Sequence, residues 1–154
     1  MISTLPLRYP RESWNHESGQ TFEAGAGHDG RVGRMMPRIL VVEDEFLVAL
    51  DAEAMLAALG CEVIGPAATA DQAIALLASE HADAALLDVN VGGKPVFPLA
   101  ERLAAQGIPF AFATGYDAAS VLPDEFADRP VLRKPYDEEH LADLIHGMFE
   151  AAPA

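Results

Sequence analysis

From residue 37 onward, short apolar runs alternate with stretches whose apolar positions recur every three or four residues. The runs predict strands over 39–42, 62–64, 84–87, 110–113 and 131–132. The longer periodic stretches predict helices near 46–59, 70–80, 96–106, 118–127 and 138–150. Start and stop signals agree with these bounds. Thr69 with Gln72 forms a capping box, Asp137 is a good N-cap for EEHLADLI, and Gly60 and Gly107 stop the first and third helices. The fourth helix is weak, because DAASVLPDEFADRP carries Pro123 in its middle and Pro130 beyond it.

Strands alternating with helices over short links predict a parallel sheet covered on both faces. Five strands suggest an α/β, flavodoxin-like doubly wound sheet in the order 2-1-3-4-5, whose ligands bind outside the carboxyl ends of the strands. The polar residues just past each strand then share one crevice. Strand one delivers Glu43 and Asp44, strand three Asp88 and Asn90, strand four Thr114 and strand five Lys134. Strand two, at the edge, delivers nothing comparable. Each acid alone could be a solvated turn or a helix start, where negative charge suits the helix dipole. Their convergence is harder to dismiss.

Carboxylates gathered in this way repel, and burying one is costly unless it is paired or bound to a cation. Asp44 and Asp88 offer the hard oxygen ligands that Mg²⁺ prefers, and Glu43 can help through a bound water. Lys134 can pair with Asp88 and later with a transferred phosphoryl group. Thr114 can donate to a phosphoryl oxygen. An aspartate nucleophile, Mg²⁺, a lysine and a hydroxyl donor are the parts that in-line phosphoryl transfer requires.

Bulk properties narrow the setting. A chain of 154 residues, 51% hydrophobic, suits one domain with a proper core. All of the net charge of −14 lies in 37–154, since the four arginines and four acids of 1–36 cancel. With a pI near 4.5, direct DNA binding is not expected, because phosphates repel an acidic surface. No apolar run approaches the roughly 18 residues that span a bilayer. No secretion signal opens the chain, and the single cysteine, Cys61, suits a reducing cytoplasm. Residues 1–36, rich in Gly, Ser and Pro and without hydrophobic period, read as a disordered leader, 37–150 as the folded domain and 151–154 as a short tail. Met35 and Met36 abut the first strand and are alternative translation starts.

The motifs VVEDE, LLDVN, FATG and LRKP, in this order and spacing, resemble the receiver domain of two-component response regulators over residues 37–150. The resemblance implies that Asp88 is the phosphoacceptor and that Asp44, Asp88 and the Asn90 backbone carbonyl hold Mg²⁺. Glu43 completes the acidic pocket, and Thr114 and Lys134 are the family's hydroxyl and lysine. It implies a domain that catalyses its own phosphorylation and dephosphorylation and is not otherwise an enzyme. The donor would be a sensor histidine kinase or a histidine phosphotransfer protein. A cis bond at Lys134–Pro135 is also implied. FATGY followed by PVLRKPY resembles the FAT GUY group of single-domain receivers. On this reading the chain is a stand-alone phosphorylation switch or phosphorelay shuttle.

Other readings compete. A phosphatase of the haloacid-dehalogenase type also uses an aspartate nucleophile, Thr and Lys, but Asn90 stands where that family needs an acid, and its nucleophile follows the first strand. Gly92-Gly93-Lys94 invites a P-loop reading, which fails because Asp88 replaces the first Gly and Pro95 the Ser/Thr. The five histidines lack zinc spacing, and His81, His140 and His146 read as helix-surface residues. Phe112 and Tyr116 read as core or rim. The first helix, FLVALDAEAMLAAL, has only Asp51 and Glu53 as charges. Such apolarity suits core packing, or an exposed strip that docks kinase helices as helix one does in receivers. Many receivers carry an aromatic three positions before the lysine; here Val131 stands there. Activation is therefore expected to order or shift residues 115–130 instead.

Overall fold

The central sheet has five parallel strands, β1 (Arg38–Val42), β2 (Glu62–Ala67), β3 (Ala84–Asp88), β4 (Phe110–Thr114) and β5 (Val131–Arg133), in the order β2-β1-β3-β4-β5. This computed structural model describes residues 14–15, 20–21, 36–115 and 122–150. The sheet is the doubly wound, flavodoxin-like one that the alternation predicts. Among the described residues four α-helices cover it: α1 (Phe46–Ala58), α2 (Ala70–Ser79), α3 (Phe97–Ala105) and α4 (Glu138–Glu150).

Strand side chains alternate between the two faces, which divides the core into two layers. Ile39, Val41 and Leu86 face α1 and α4, where they pack with Leu56, Leu141 and Ile145. Leu40, Val42, Leu87 and Phe112 face α2 and α3, meeting Ala73, Leu99 and Leu103. Because both faces are buried, the central strands read as continuous apolar runs. Cys61 is buried in the first layer, and desolvation pushes its thiol up to about 12.

Capping agrees with the expected chemistry. Thr69 Oγ1 accepts from the Gln72 N–H (3.1 Å), and Gln72 Oε1 reaches back to the Ala68 N–H (2.8 Å). Asp137 Oδ1 accepts from the His140 N–H (2.8 Å), which holds its carboxyl below the usual range.

Several expectations change. β2 runs on to Ala67 through a cis Gly65–Pro66 bond, with a register shift against β1 between Leu40 and Val42. Of the helix predicted over 118–127, residues 118–121 lie outside the described residues, and the remainder holds a single 3₁₀ turn, Asp124–Phe126. Pro123 precedes that turn, and Phe126 pins it by packing against Phe97, Phe110 and Phe112 at ring separations of 5.7–6.0 Å. An aromatic anchor and flanking prolines replace a regular helix there.

His146 is not a surface residue. It is only 8% exposed, because it lies one turn after Ala142 on the face of α4 that meets the sheet. His81 lies beyond the end of α2, exposed, with its Nε2 2.8 Å from Asp83 Oδ1. In α1, Phe46 and Leu47 are 74% and 73% exposed and Leu50 is exposed too, so this end of the helix presents its apolar side chains outward. The leader expected to lack regular structure falls mostly outside the described residues; Trp14–Asn15 and Gln20–Thr21 form a short antiparallel strand pair within it. Tyr116 and the tail over 151–154 also lie outside.

Candidate functional site at the strand ends

The pairing registers explain why four strand ends meet. Val42 of β1 lies beside Leu87 of β3, so the next residues, Glu43 and Asp88, come level. Asp88 pairs with Ala113 of β4, which puts Thr114 one residue higher. Thr114 pairs with Arg133 of β5, and Lys134 comes directly after. Backbone bonds stitch the ends together: the Glu43 N–H donates to the Ala67 carbonyl (2.9 Å) and the Lys134 N–H to the Thr114 carbonyl (3.0 Å). The Lys134–Pro135 bond is cis.

One oxygen each of Glu43, Asp44 and Asp88 lies within 4.8 Å of the others. Glu43 is buried at 6% exposure, Asp88 half-buried and Asp44 exposed. Lys134 enters this group from β5. Its Nζ donates to Glu43 Oε1 at 2.7 Å and to Asp88 Oδ2 at 3.4 Å. The sequence pairs this lysine with Asp88; the structure gives Glu43 the closer contact. Glu43 Oε2 also accepts from the Glu45 N–H (3.1 Å), so both oxygens of this buried carboxylate are satisfied. Glu43 is therefore the anchor of the lysine.

Burial pushes the Asp88 carboxyl up to about 6; the Lys134 charge pulls it down, while the Glu43 charge adds to the rise. Burial alone would lower Lys134, but the bond to Glu43 and the charge of Asp88 hold it above the usual lysine value. Thr114 is buried at the end of β4.

After Asp88 the chain forms a small antiparallel hairpin, Asn90–Val91 against Lys94–Pro95, across Gly92 and Gly93. Both glycines have positive φ, 63° and 79°, the conformation a two-residue hairpin turn demands and glycine adopts without strain. The Val96 N–H donates to the Val89 carbonyl (2.8 Å). Antiparallel pairs alternate between bonded and unbonded, so the Asn90–Pro95 pair is unbonded and the Asn90 carbonyl points out of the ladder. That carbonyl is left for another partner. The turn also reaches Asp44, whose Oδ2 accepts from the Gly92 N–H at 3.0 Å. In the sequence these glycines stand out only as a failed P-loop. A Gly-Gly pair between strand-forming residues is itself a hairpin signal, but nothing in it announces a contact 48 residues away.

The donor set fits Mg²⁺. Three carboxylates are hard oxygen ligands, and the exposed Asp44 leaves room for the waters that Mg²⁺ keeps. The upward shift of Asp88, in part from the Glu43 charge, is what a divalent cation would relieve. Among the described residues no helix is long and apolar enough to cross a membrane.

No family model matches the chain. Over 113 residues it is 32% identical to the sensory transduction protein LytT of Bacillus subtilis, covering 71% of this chain and 47% of that protein. It spans just under half the length of the curated relatives it matches. The solved structure of SdrG from Sphingomonas melonis aligns at 40% identity and a TM-score of 0.66, covering 73% of this chain and 96% of that one. The receiver domain of the response regulator PhyR from Erythrobacter litoralis superposes with a TM-score of 0.68 at 26% identity, covering 77% of this chain and 95% of its own. Sheet order, acid cluster and likeness agree: the chain belongs to the response regulator receiver domains.

Proposed function

We propose that residues 37–150 are a single-domain phosphorylation switch whose Asp88 accepts a phosphoryl group from a sensor histidine kinase or a histidine phosphotransfer protein, with Mg²⁺ as cofactor. The observation that carries this reading is the meeting of Glu43, Asp44, Asp88 and Lys134 at the strand ends, with buried Thr114 at the end of the neighbouring β4. With its carboxyl at about 6, Asp88 is ionised at neutral pH and can act as the nucleophile. One of its oxygens attacks phosphorus in line, the P–N bond of the donor phosphohistidine breaks, and the bonding pair leaves with the imidazole. Asp44, Asp88 and the Asn90 carbonyl would hold Mg²⁺, with Glu43 acting through water. When bound, the ion neutralises charge on the phosphoryl oxygens. Lys134 turns from Asp88 to a phosphoryl oxygen while Glu43 keeps hold of it, and the Thr114 hydroxyl donates to another. Attack of water on the phosphorus breaks its bond to the Asp88 oxygen, releasing inorganic phosphate and the free carboxylate, which resets the switch.

The exposed Phe46, Leu47 and Leu50 of α1 supply an apolar strip for the helices of the phosphodonor. The stretch from Phe112 to Tyr116 supports membership of the FAT GUY group. A cytoplasmic location fits the lone buried Cys61, and the acidic charge argues against direct DNA binding. The downstream target is a protein, and the chain acts as switch or relay shuttle, with 1–36 and 151–154 dispensable for phosphorylation. Asn90, standing where a haloacid-dehalogenase phosphatase needs an acid, argues against turnover of small phosphate esters.

Acetyl phosphate with Mg²⁺ tests the reading. The protein should gain one acid-stable, hydroxylamine-labile phosphoryl group, absent in Asp88→Asn and much reduced in Asp44→Asn. Labelling of Asp88→Asn at the wild-type site would refute it.

A further inference from the structure

The hairpin just past Asp88 reaches the acid cluster through its turn. Its first strand carries Asn90, whose carbonyl points out of the ladder, and its turn carries Gly92, whose N–H donates to Asp44 Oδ2 at 3.0 Å. Among the described residues Asp44 has no other side-chain hydrogen bond, so this one amide orients an otherwise exposed carboxylate and leaves Oδ1 without a protein donor. Gly92 has little room for a side chain. A Cβ there would meet Thr69 Cγ2 at 3.3 Å and the Ala68 carbonyl at 3.6 Å, at the N-terminus of α2, whereas a Cβ on Gly93 would meet nothing within 4 Å.

We infer that Gly92 is a positioning residue for the cation: its amide fixes Asp44 so that Asp44 and the Asn90 carbonyl, both governed by one hairpin, are presented together. The inference rests on the Mg²⁺ site proposed above. Partners that orient a metal ligand matter because a carboxylate free to rotate must be ordered each time the ion binds. The hairpin does this ordering in advance.

The two neighbouring glycines provide the test. Both occupy the left-handed region, so Gly92→Ala and Gly93→Ala carry a similar backbone handicap. Only Gly92→Ala must also push away from Thr69, taking the amide off Asp44. Titration calorimetry of the full chain with Mg²⁺ should show Gly92→Ala binding about tenfold more weakly than wild type, with Gly93→Ala within about twofold of it. Equal weakening in both variants, or unchanged affinity in Gly92→Ala, would overturn the inference while leaving the metal site standing. A wild-type protein that takes up no Mg²⁺ would overturn the metal site and this inference with it. Should Gly92→Ala fail to fold, amide exchange on the metal-free wild type decides. The Gly92 amide should be protected and its resonance should move on addition of Mg²⁺; rapid exchange with no movement would overturn the role of Gly92.

Discussion

Lys134 and Glu43, 91 residues apart in the chain, form the shorter of the two ion pairs of the site, with 2.7 Å between Nζ and Oε1. Glu43 is almost wholly buried, so removing the lysine leaves a carboxylate held by one backbone donor. Lys134→Met should cost the metal-free protein about 2 kcal/mol, less than the roughly 3–5 kcal/mol of a fully buried pair because Lys134 is partly exposed. Adding Glu43→Gln should restore more than half of the loss. Urea unfolding of the four proteins in this cycle measures the coupling, and purely additive effects would show that the pair does not stabilise the fold.

Asp88 should make the stability of the metal-free protein depend on pH. Its carboxyl, at about 6, lies above the ordinary 3.8, so the folded state takes up the proton more readily than the unfolded chain. The resulting stability is fully present below the unfolded value and is lost as pH rises through about 6. In EDTA, Tm should therefore fall between about pH 4 and about pH 7, and fall less in Asp88→Asn. At the higher pH, Mg²⁺ should raise the wild-type Tm more than that of Asp88→Asn, since an ion that binds only the folded state stabilises it. Identical pH profiles for the two proteins would remove Asp88 as the cause.

Phe126 should matter far more than its place in a three-residue turn suggests. Its ring is buried against Phe97, Phe110 and Phe112, and Arg129 covers Phe110 at 4.2 Å. Phe126→Ala should destabilise by about 3–5 kcal/mol, whereas exposed Val131→Ala should cost under about 1 kcal/mol. Denaturant unfolding compares them directly.

Since Val131 is short and exposed, activation should be felt over 115–130 instead of at an aromatic on β5. Hydrogen exchange with and without beryllofluoride and Mg²⁺ should change most there, including 122–130 of the described residues. A change confined to 131–133 would contradict this.

The apolar end of α1 separates docking from chemistry. Leu47→Asp lies on an exposed position and should leave unfolding and acetyl phosphate labelling close to wild type. Transfer from phosphorylated histidine kinases or phosphotransfer proteins should drop at least about tenfold, the effect of losing one well-placed apolar contact and adding a charge. Undiminished transfer would move the docking surface elsewhere.

Local pattern was enough to determine the frame of this protein. Apolar runs such as ILVV and AALL are strands because both faces of a parallel sheet are buried, and the helical stretches between them point to the doubly wound order. That order by itself brings Asp44, Asp88, Thr114 and Lys134 to the same end, since each lies at the end of its strand. The capping box at Thr69 and the stop at Gly107 are equally local.

What only the tertiary structure decided are contacts between distant segments. Whether Lys134 leans on Glu43 or Asp88 depends on the level at which β1, β3 and β5 end, which is set by strand register. The hold of Gly92 on Asp44 depends on a turn folding back across 48 residues. The burial of His146 and the exposure of Phe46 and Leu47 depend on how α4 and α1 are rotated over the sheet. Pro123 already marks the fourth helix as weak, but the phenylalanines that pin Phe126 come from α3 and β4, so no local rule could foresee the turn they anchor. Propensity acts between neighbours in the chain, whereas packing and charge pairing act between neighbours in space.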